Sequence, residues 1–132
     1  MANLMSKERI VRKEYLERLR NLQHKKLIKI ITGIRRCGKS TVMEMFRDEL
    51  LENGVDENQI IFLNFEDYDN KHLRNPDELY SYIKERLTKK MNYIFLDEIQ
   101  SVENFPEIVD SLYIKDNVDI YITGSNSSLF SS

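Results

Sequence analysis

This 132-residue chain has a glycine-rich loop between an apolar run and an amphipathic stretch, and this loop is the strongest constraint on its fold. Residues 33–40 read Gly-Ile-Arg-Arg-Cys-Gly-Lys-Ser and match the pattern G-x-x-x-x-G-K-S. Gly33 and Gly38 allow a tight turn whose backbone N–H groups face inward and form an anion nest. In such a loop, Lys39 reaches the β- and γ-phosphates of a nucleoside triphosphate and Ser40 Oγ ligates Mg²⁺.

The residues on both sides of the loop decide whether this short pattern is meaningful. Residues 27–32 form a mostly apolar run that is typical of a buried parallel strand. Downstream, apolar residues recur at helical spacing until Asn53-Gly54: Val42, Met43, Met45, Phe46 and Leu50. A strand, a loop and a helix in this order predict that the nucleotide contacts Gly33, Ile34, Arg35, Arg36, Cys37, Gly38, Lys39, Ser40 and Thr41.

The bulk composition is that of one globular domain. Hydrophobic residues make up 41% and charged residues 32% of the chain. No apolar run approaches the roughly 20 residues needed to cross a bilayer, and the N-terminus has no apolar block typical of a secretory signal. The single cysteine excludes an internal disulfide. We therefore expect a cytoplasmic protein without membrane contact.

Charge is distributed unevenly along the chain. Residues 6–26 carry eight Lys or Arg against three Glu, a balance of +5 that leaves −7 for residues 27–132. We interpret residues 1–26 as a basic N-terminal helix packed on a core of residues 27–132, because Val11, Tyr15, Leu19 and Leu22 share one helical stripe. The basic face indicates either a solvated surface over an acidic domain or contact with nucleic acid, and no binding motif supports the second.

Three further strand candidates follow the loop, at residues 59–65, 93–97 and 118–123. Each is short and rich in Ile, Val, Phe and Tyr. Helices are predicted between them: Asn75-Pro76 signals one start, and Asn104 with Glu107 brackets another. Strands that alternate with helices predict an α/β fold with a parallel sheet (27–32, 59–65, 93–97 and 118–123) and helices on both faces, the three layers of a phosphate-loop NTPase core.

A second chemical signal ends the third strand candidate. The apolar run 93–96 is followed by Asp97 and Glu98, at the strand end where ligands bind in parallel α/β sheets. We predict that Asp97 holds Mg²⁺ through water and that Glu98 acts as general base on the attacking water. An acidic turn without a ligand is the alternative, and the upstream loop favours the functional interpretation.

A third signal follows the last strand candidate, in residues 123–128, Thr-Gly-Ser-Asn-Ser-Ser. A polar side chain there can hydrogen-bond the γ-phosphate or the attacking water. Asn126 or Ser125 is the candidate for this catalytic role, with Asn126 preferred, and a hydrophilic turn is the alternative.

Three strings in one order carry a family resemblance: residues 33–40, residues 93–100 (Tyr-Ile-Phe-Leu-Asp-Glu-Ile-Gln) and residues 121–129. With them the chain resembles the N-terminal ATPase domain of the predicted AAA-type, additional-strand P-loop ATPases of bacteria and archaea. The resemblance implies ATP and Mg²⁺ as ligands, with Lys39, Ser40, Asp97 and Glu98 in the roles given above. It also implies partners, either other copies of the chain or a C-terminal domain.

The chain differs from members of this family in length, because they continue well beyond the position of Leu129. Their sheet is usually ordered 5-1-4-3-2, and only four strands are readable here, so we expect the fifth to be missing and residues 27–32 to form an exposed apolar edge. No arginine finger is identifiable. We therefore expect a truncated domain that hydrolyses ATP slowly.

Two other functions stay open at the level of sequence. The first is a nucleotide-dependent switch or interaction module that binds ATP without turning it over. The second, a small-molecule kinase, fits poorly because Glu98 favours water as the acceptor. GTP is disfavoured because no Asn-Lys-x-Asp motif occurs; the string 70–73 lacks the acid.

Overall fold

The computed structural model describes the backbone of residues 2–31, 38–115 and 117–124, and side chains from residue 12 onward within those ranges. The predicted roles of residues 33–37, Ser125 and Asn126 lie outside the described residues. Four α-helices and four strands are described: α1 (Ala2–Leu22), β1 (Ile28–Ile31), α2 (Lys39–Glu52), β2 (Ile60–Asn64), α3 (Pro76–Arg86), β3 (Asn92–Asp97), α4 (Phe105–Tyr113) and β4 (Val118–Thr123). Short 3₁₀ turns occupy Glu57–Gln59, Tyr68–Arg74 and Ile99–Ser101.

The four strands form one parallel sheet in the order β1-β4-β3-β2. The predicted α/β class and parallel sheet with helices on both faces are therefore confirmed. Every residue of the two central strands is buried, whereas burial alternates along the two outer strands. This difference follows from position, because central parallel strands are covered on both faces.

Strand ends differ slightly from the predicted ranges. β2 begins at Ile60 because Gln59 closes a 3₁₀ turn, where its side chain accepts from Asp56 N at 3.0 Å and donates to Met91 O at 2.9 Å. β3 begins one residue early, at Asn92, and β4 matches its predicted range. Side-chain hydrogen bonds at a strand start are not visible in hydrophobic patterning, which explains the error at Gln59.

Helices begin at both predicted starts, α3 at Pro76 and α4 at Phe105, but only the first is capped by a side chain. Asn75 caps α3 as expected, since its side chain accepts from Asp77 N and Glu78 N at 3.0 and 3.1 Å. Asn104 does not cap α4: its φ of 57° places it in the left-handed region, and its side chain makes no capping hydrogen bond. Asparagine tolerates that backbone region better than most residues, so it serves here as a turn residue.

Alternate strand residues face two separate hydrophobic layers. One layer joins the sheet to α3 and α4 and includes Leu79, Ile83 and Leu112. The other joins it to α1 and α2 and contains the buried residues Leu16, Leu19, Ile31, Val42, Met43, Phe46, Leu50, Tyr93, Phe95 and Tyr121. In the second layer Phe95 stacks on Tyr121 with ring centroids 4.9 Å apart. This packing holds α2, and with it Lys39 and Ser40, against the carboxyl ends of β3 and β4.

β1 lies at one side of the sheet and pairs with β4 alone among the described strands. Leu27 and Ile30 are 52% and 42% exposed there. An apolar edge of this kind is the one expected at residues 27–32. Within the described part of the chain, no helix is both long and apolar enough to cross a membrane.

Candidate nucleotide-binding site

The predicted site residues that the structure describes meet at the carboxyl end of the sheet. Gly38 and Lys39 begin α2, Asp97 ends β3, and Glu98 follows directly. These elements converge because β1, β4 and β3 are parallel neighbours, so that the α2 start and the β3 end lie at the same edge. Lys39 and Glu98 are about 60 positions apart in the sequence, and the fold brings Lys39 Nζ within 3.5 Å of Glu98 Oε1.

The start of α2 has the geometry of an anion site. Gly38 has a φ of +75°, a backbone conformation that favours glycine, and a Cβ there would lie 2.7 Å from Thr41 Oγ1, which would have to move. No side chain caps the helix among the described residues. The first-turn N–H groups and the positive end of the helix dipole therefore point at the place where a phosphate would bind.

Lys39 is buried between two strand ends. Its Nζ donates to Gly124 O at 2.7 Å and lies 3.5 Å from Glu98 Oε1. Its side chain is 7% exposed and that of Glu98 is 8% exposed. A buried ammonium of this kind is electrostatically strong because little water screens it.

Asp97 is fully buried and uses its two carboxylate oxygens on different partners. Oδ2 accepts from Ser40 Oγ, and Oδ1 accepts from Thr123 Oγ1 at 2.5 Å. Ser40 Oγ and the Asp97 carboxylate are hard oxygen donors that suit Mg²⁺, and they are already in contact. Among the described residues no group of three or more His, Cys, Asp or Glu forms a metal cage. A Mg²⁺ ion that binds nucleotide usually keeps water and phosphate ligands, so this donor set fits it.

Glu98 adopts a left-handed backbone conformation, with φ 59° and ψ 51°. That region costs a non-glycine residue of the order of 1 kcal/mol and is seen most often where surrounding contacts impose it. Here Glu98 N donates to Thr123 Oγ1 at 2.9 Å, and Gln100 Nε2 donates to Glu98 Oε2 at 2.6 Å. In this conformation Glu98 Oε1 lies 3.5 Å from Lys39 Nζ.

Sequence reasoning missed Thr123 and Gln100 as members of the site. Thr123 joins Asp97 to the Glu98 backbone, and it is completely buried. Its only sequence signal was its place at the end of the last strand, beside residues chosen as sensor candidates. Gln100 was part of a distinctive string, residues 93–100, but nothing in the string showed that its amide turns back to Glu98.

A second buried polar cluster lies near the amino ends of the strands. Lys29 Nζ donates to Asp119 Oδ1 and to Lys25 O, the latter at 2.7 Å, and both charged side chains are 1% exposed. Asp119 Oδ2 also accepts from His24 N at 3.0 Å and Tyr121 OH at 2.7 Å. Burial, and secondarily the Asp119 charge, raises the pKa of the Tyr121 hydroxyl. We call Lys29, Asp119 and Tyr121, with the His24 backbone, the lower cluster.

Comparisons with known proteins agree with this geometry. A family model described as an AAA domain matches residues 25–132. This match and the parallel sheet support an AAA-like P-loop ATPase domain. The chain belongs to the AAA domain family.

Two relatives align with most of this chain, and neither has a described activity. An uncharacterized protein of Haemophilus influenzae is 37% identical over 129 residues, which is 96% of this chain and 32% of that protein. An uncharacterized protein of Methanocaldococcus jannaschii is 38% identical over 112 residues, 79% of this chain and 22% of that protein. The chain thus spans a third or less of the length of these relatives. No solved structure matches it significantly.

Proposed function

We propose that this domain binds ATP with Mg²⁺ and hydrolyses it, with Glu98 as general base. The observation that carries the proposal is that Lys39, Ser40, Asp97 and Glu98 meet at the carboxyl end of the sheet, where Lys39, Asp97 and Glu98 are buried. Phosphoryl transfer to water needs a cation that binds phosphate, oxygen ligands for the metal and a carboxylate base. Lys39 is the cation, Ser40 and Asp97 are the oxygen ligands, and Glu98 is the base. Family membership supports nucleotide binding independently of these contacts.

We assign each residue of the site a separate role on the basis of its position and contacts. The α2 N-terminus and Lys39 bind the β- and γ-phosphates, and Lys39 then exchanges its contact with Glu98 for phosphate oxygens. Ser40 Oγ and Asp97 would hold Mg²⁺, directly and through water respectively; the ion supplies charge neutralisation on the phosphates. Residues 33–37 contribute the rest of the phosphate loop, and Asn126 is proposed to contact the γ-phosphate or the attacking water.

The strand order supports the additional-strand subtype of these ATPases. β4 lies between β1, which precedes the phosphate loop, and β3, which carries Asp97. This is the 1-4-3-2 part of the order that the resemblance implied. We extend the proposal to a fifth strand beside the exposed edge of β1, a cytoplasmic location and self-association or contact with a further domain.

A nucleotide-dependent switch without turnover is the second candidate function. The observation that favours it is the 3.5 Å contact of Lys39 Nζ with Glu98 Oε1, which engages the proposed base with a cation. Under this alternative ATP would draw Lys39 away from Glu98 and rearrange the ends of β3 and β4, without hydrolysis. Binding alone does not separate the two candidates, but turnover does.

Calorimetry with Mg²⁺ and either ATP or GTP tests the binding part of the proposal. The parent should bind ATP, and Lys39→Ala should weaken that binding at least about 100-fold, since it removes the buried phosphate cation. Lys84→Ala is the matched control, because Lys84 is an exposed lysine on α3. Equal ATP affinity of parent and Lys39→Ala would overturn the site, and comparable GTP affinity would overturn the preference for adenine.

A further inference from the structure

Gln100 lies on the short turn that follows the proposed base. The turn Ile99–Ser101 begins at Glu98, and Ser101 N donates to Glu98 O at 3.2 Å. Ile99 is fully buried and Val102 is 1% exposed, so both anchor the turn in the layer under α3 and α4. The Gln100 backbone therefore has a fixed place from which its side chain reaches back to Glu98.

The two ends of the Gln100 amide have different environments. Nε2 donates to Glu98 Oε2 at 2.6 Å. Because an ionised carboxylate only accepts hydrogen bonds, the amide nitrogen must face Glu98, which directs Oε1 away from that oxygen. Oε1 is buried and has no hydrogen-bond partner within the described ranges of the chain. A buried amide oxygen without a partner is rare enough to require an explanation, and a ligand or water that binds there is one.

The other polar groups around Glu98 are donors or are already hydrogen-bonded, whereas Gln100 Oε1 is an acceptor without a partner among the described residues. Lys39 has donors only. Gly124 O accepts from Lys39, and Thr123 Oγ1 accepts from Glu98 N while it donates to Asp97. Gln100 Oε1 is thus an acceptor without a hydrogen-bond partner among the described residues. It belongs to the same amide group whose Nε2 donates to Glu98.

We propose that Gln100 orients the attacking water together with Glu98. This inference rests on the proposed hydrolysis. The water donates one proton to the Glu98 carboxylate and the other to Gln100 Oε1, which leaves an oxygen lone pair directed at the γ-phosphorus. As the new P–O bond forms, the bond to the β–γ bridging oxygen breaks, ADP leaves, and Glu98 takes the first proton. Through Nε2, Gln100 also fixes the rotation of the Glu98 carboxylate.

The test uses Gln100→Met, which keeps the length of the side chain and removes both hydrogen-bonding groups. We expect kcat for ATP to fall about 10- to 100-fold with KM within about twofold, since misplacement of reacting groups by about 1 Å can cost about 100-fold. Binding of ADP with Mg²⁺ and aluminium fluoride, which mimics the reacting phosphate and its water, should weaken by a similar factor. Binding of ADP with Mg²⁺ alone should not change.

Gln59→Met is the matched control. Gln59 is a buried glutamine whose side chain makes two hydrogen bonds, and it lies just before β2 rather than beside Glu98. It should lower the melting temperature and leave kcat unchanged. Gln100→Glu gives a second variant, because it keeps an acceptor and loses the donor to Glu98; it should be as slow as Gln100→Met.

The outcomes separate this inference from the function on which it rests. If the parent turns ATP over and Gln100→Met keeps its kcat, the inference is wrong and the proposed hydrolysis stands. The inference is also wrong if Gln100→Met loses ADP affinity and thermal stability in parallel, since the role is then structural. If the parent binds ATP and never hydrolyses it, hydrolysis and inference fail together.

Discussion

Two buried polar clusters among the described residues lie at opposite ends of the same sheet face and differ in how their charges are paired. One is the lower cluster, and the other, which we call the upper cluster, contains Lys39, Asp97, Glu98, Gln100 and Thr123. In the lower cluster, Lys29 and Asp119 contact each other, and the second oxygen of Asp119 has two donors of its own. At the nucleotide end, Lys39 and Glu98 are 3.5 Å apart, Glu98 has a left-handed backbone, and Gln100 Oε1 lacks a described partner. Burial of charge is common to both.

This difference shows that a buried ion pair by itself does not identify a functional site. The lower cluster satisfies its own hydrogen bonds and links the end of α1 to β1 and β4, so its contribution is to the fold. The upper cluster brings together a buried lysine, two carboxylates and a left-handed backbone at Glu98, and we propose that a phosphate and a metal ion bind there. A cost in stability of this kind is common at functional sites, which agrees with the function proposed above.

The largest effect on the free energy of unfolding is expected from Lys29→Met, which tests whether the lower cluster supports the fold. It leaves Asp119 as a buried charge without its cation, which typically costs about 3–5 kcal/mol of unfolding free energy. Urea denaturation measures this loss, and ATP affinity of the folded fraction should not change. The double variant Lys29→Met, Asp119→Asn should recover much of the stability, because Asn keeps an acceptor for His24 N and Tyr121 OH. A loss below about 1 kcal/mol in the single variant would contradict the structural role of the lower cluster.

An intermediate effect is expected from Thr123→Val in the upper cluster. The change keeps the shape of the side chain and removes the hydroxyl that joins Asp97 to Glu98 N. Loss of partners for two buried groups should cost about 1–3 kcal/mol and should lower kcat more than ATP affinity. Thr123→Ser keeps the hydroxyl and serves as the control. Parent-like kcat in the valine variant would show that this link does not support catalysis.

The smallest effect is expected from Arg20→Gln, which removes a surface pair that neither cluster uses. Arg20 Nε and Nη2 donate to Glu49 at 2.8 and 2.5 Å and link α1 to α2, but the Arg20 side chain is 45% exposed. Solvent screening limits the loss to about 1 kcal/mol or less.

The sign of the pH dependence of this pair follows from Glu49. The hydrogen bond from Arg20 lowers the pKa of the Glu49 carboxyl below its ordinary value of 4.5. Stability from the pair is therefore present above pH 4.5 and is lost as the pH falls through the lowered folded-state pKa. Urea denaturation of parent and Arg20→Gln at pH 7 and in strong acid should show a difference that shrinks with acid. A difference that grows would contradict the assignment.

The fold was largely predictable because its signals are local. Apolar β-branched runs marked the strands, and the glycine-rich loop fixed the order of strand, loop and helix around Gly38 and Lys39. The exact ends of the elements were harder to predict, since Gln59 and Asn104 depend on side-chain hydrogen bonds and backbone angles that periodicity does not report.

The upper cluster was predictable only in part for the same reason. Lys39, Ser40, Asp97 and Glu98 follow from motifs in which each residue has a chemical role. Thr123 enters the cluster through strand pairing, and Gln100 through the left-handed turn at Glu98. The pairing of Lys29 with Asp119 likewise needs the adjacency of β1 and β4. Contacts made by non-local pairing have no pattern in a single sequence.

Turnover by Glu98→Gln is the measurement that tests the central claim most directly. Glutamine keeps the size and loses the basicity of the carboxylate, while Lys39, Ser40 and Asp97 keep their chemistry. Single-turnover hydrolysis of radiolabelled ATP, at enzyme concentrations above the measured Kd, should show ATP binding within a few-fold of the parent and a rate at least about 100-fold lower. A rate equal to that of the parent, with ATP fully bound, would contradict the assignment of Glu98 as the base.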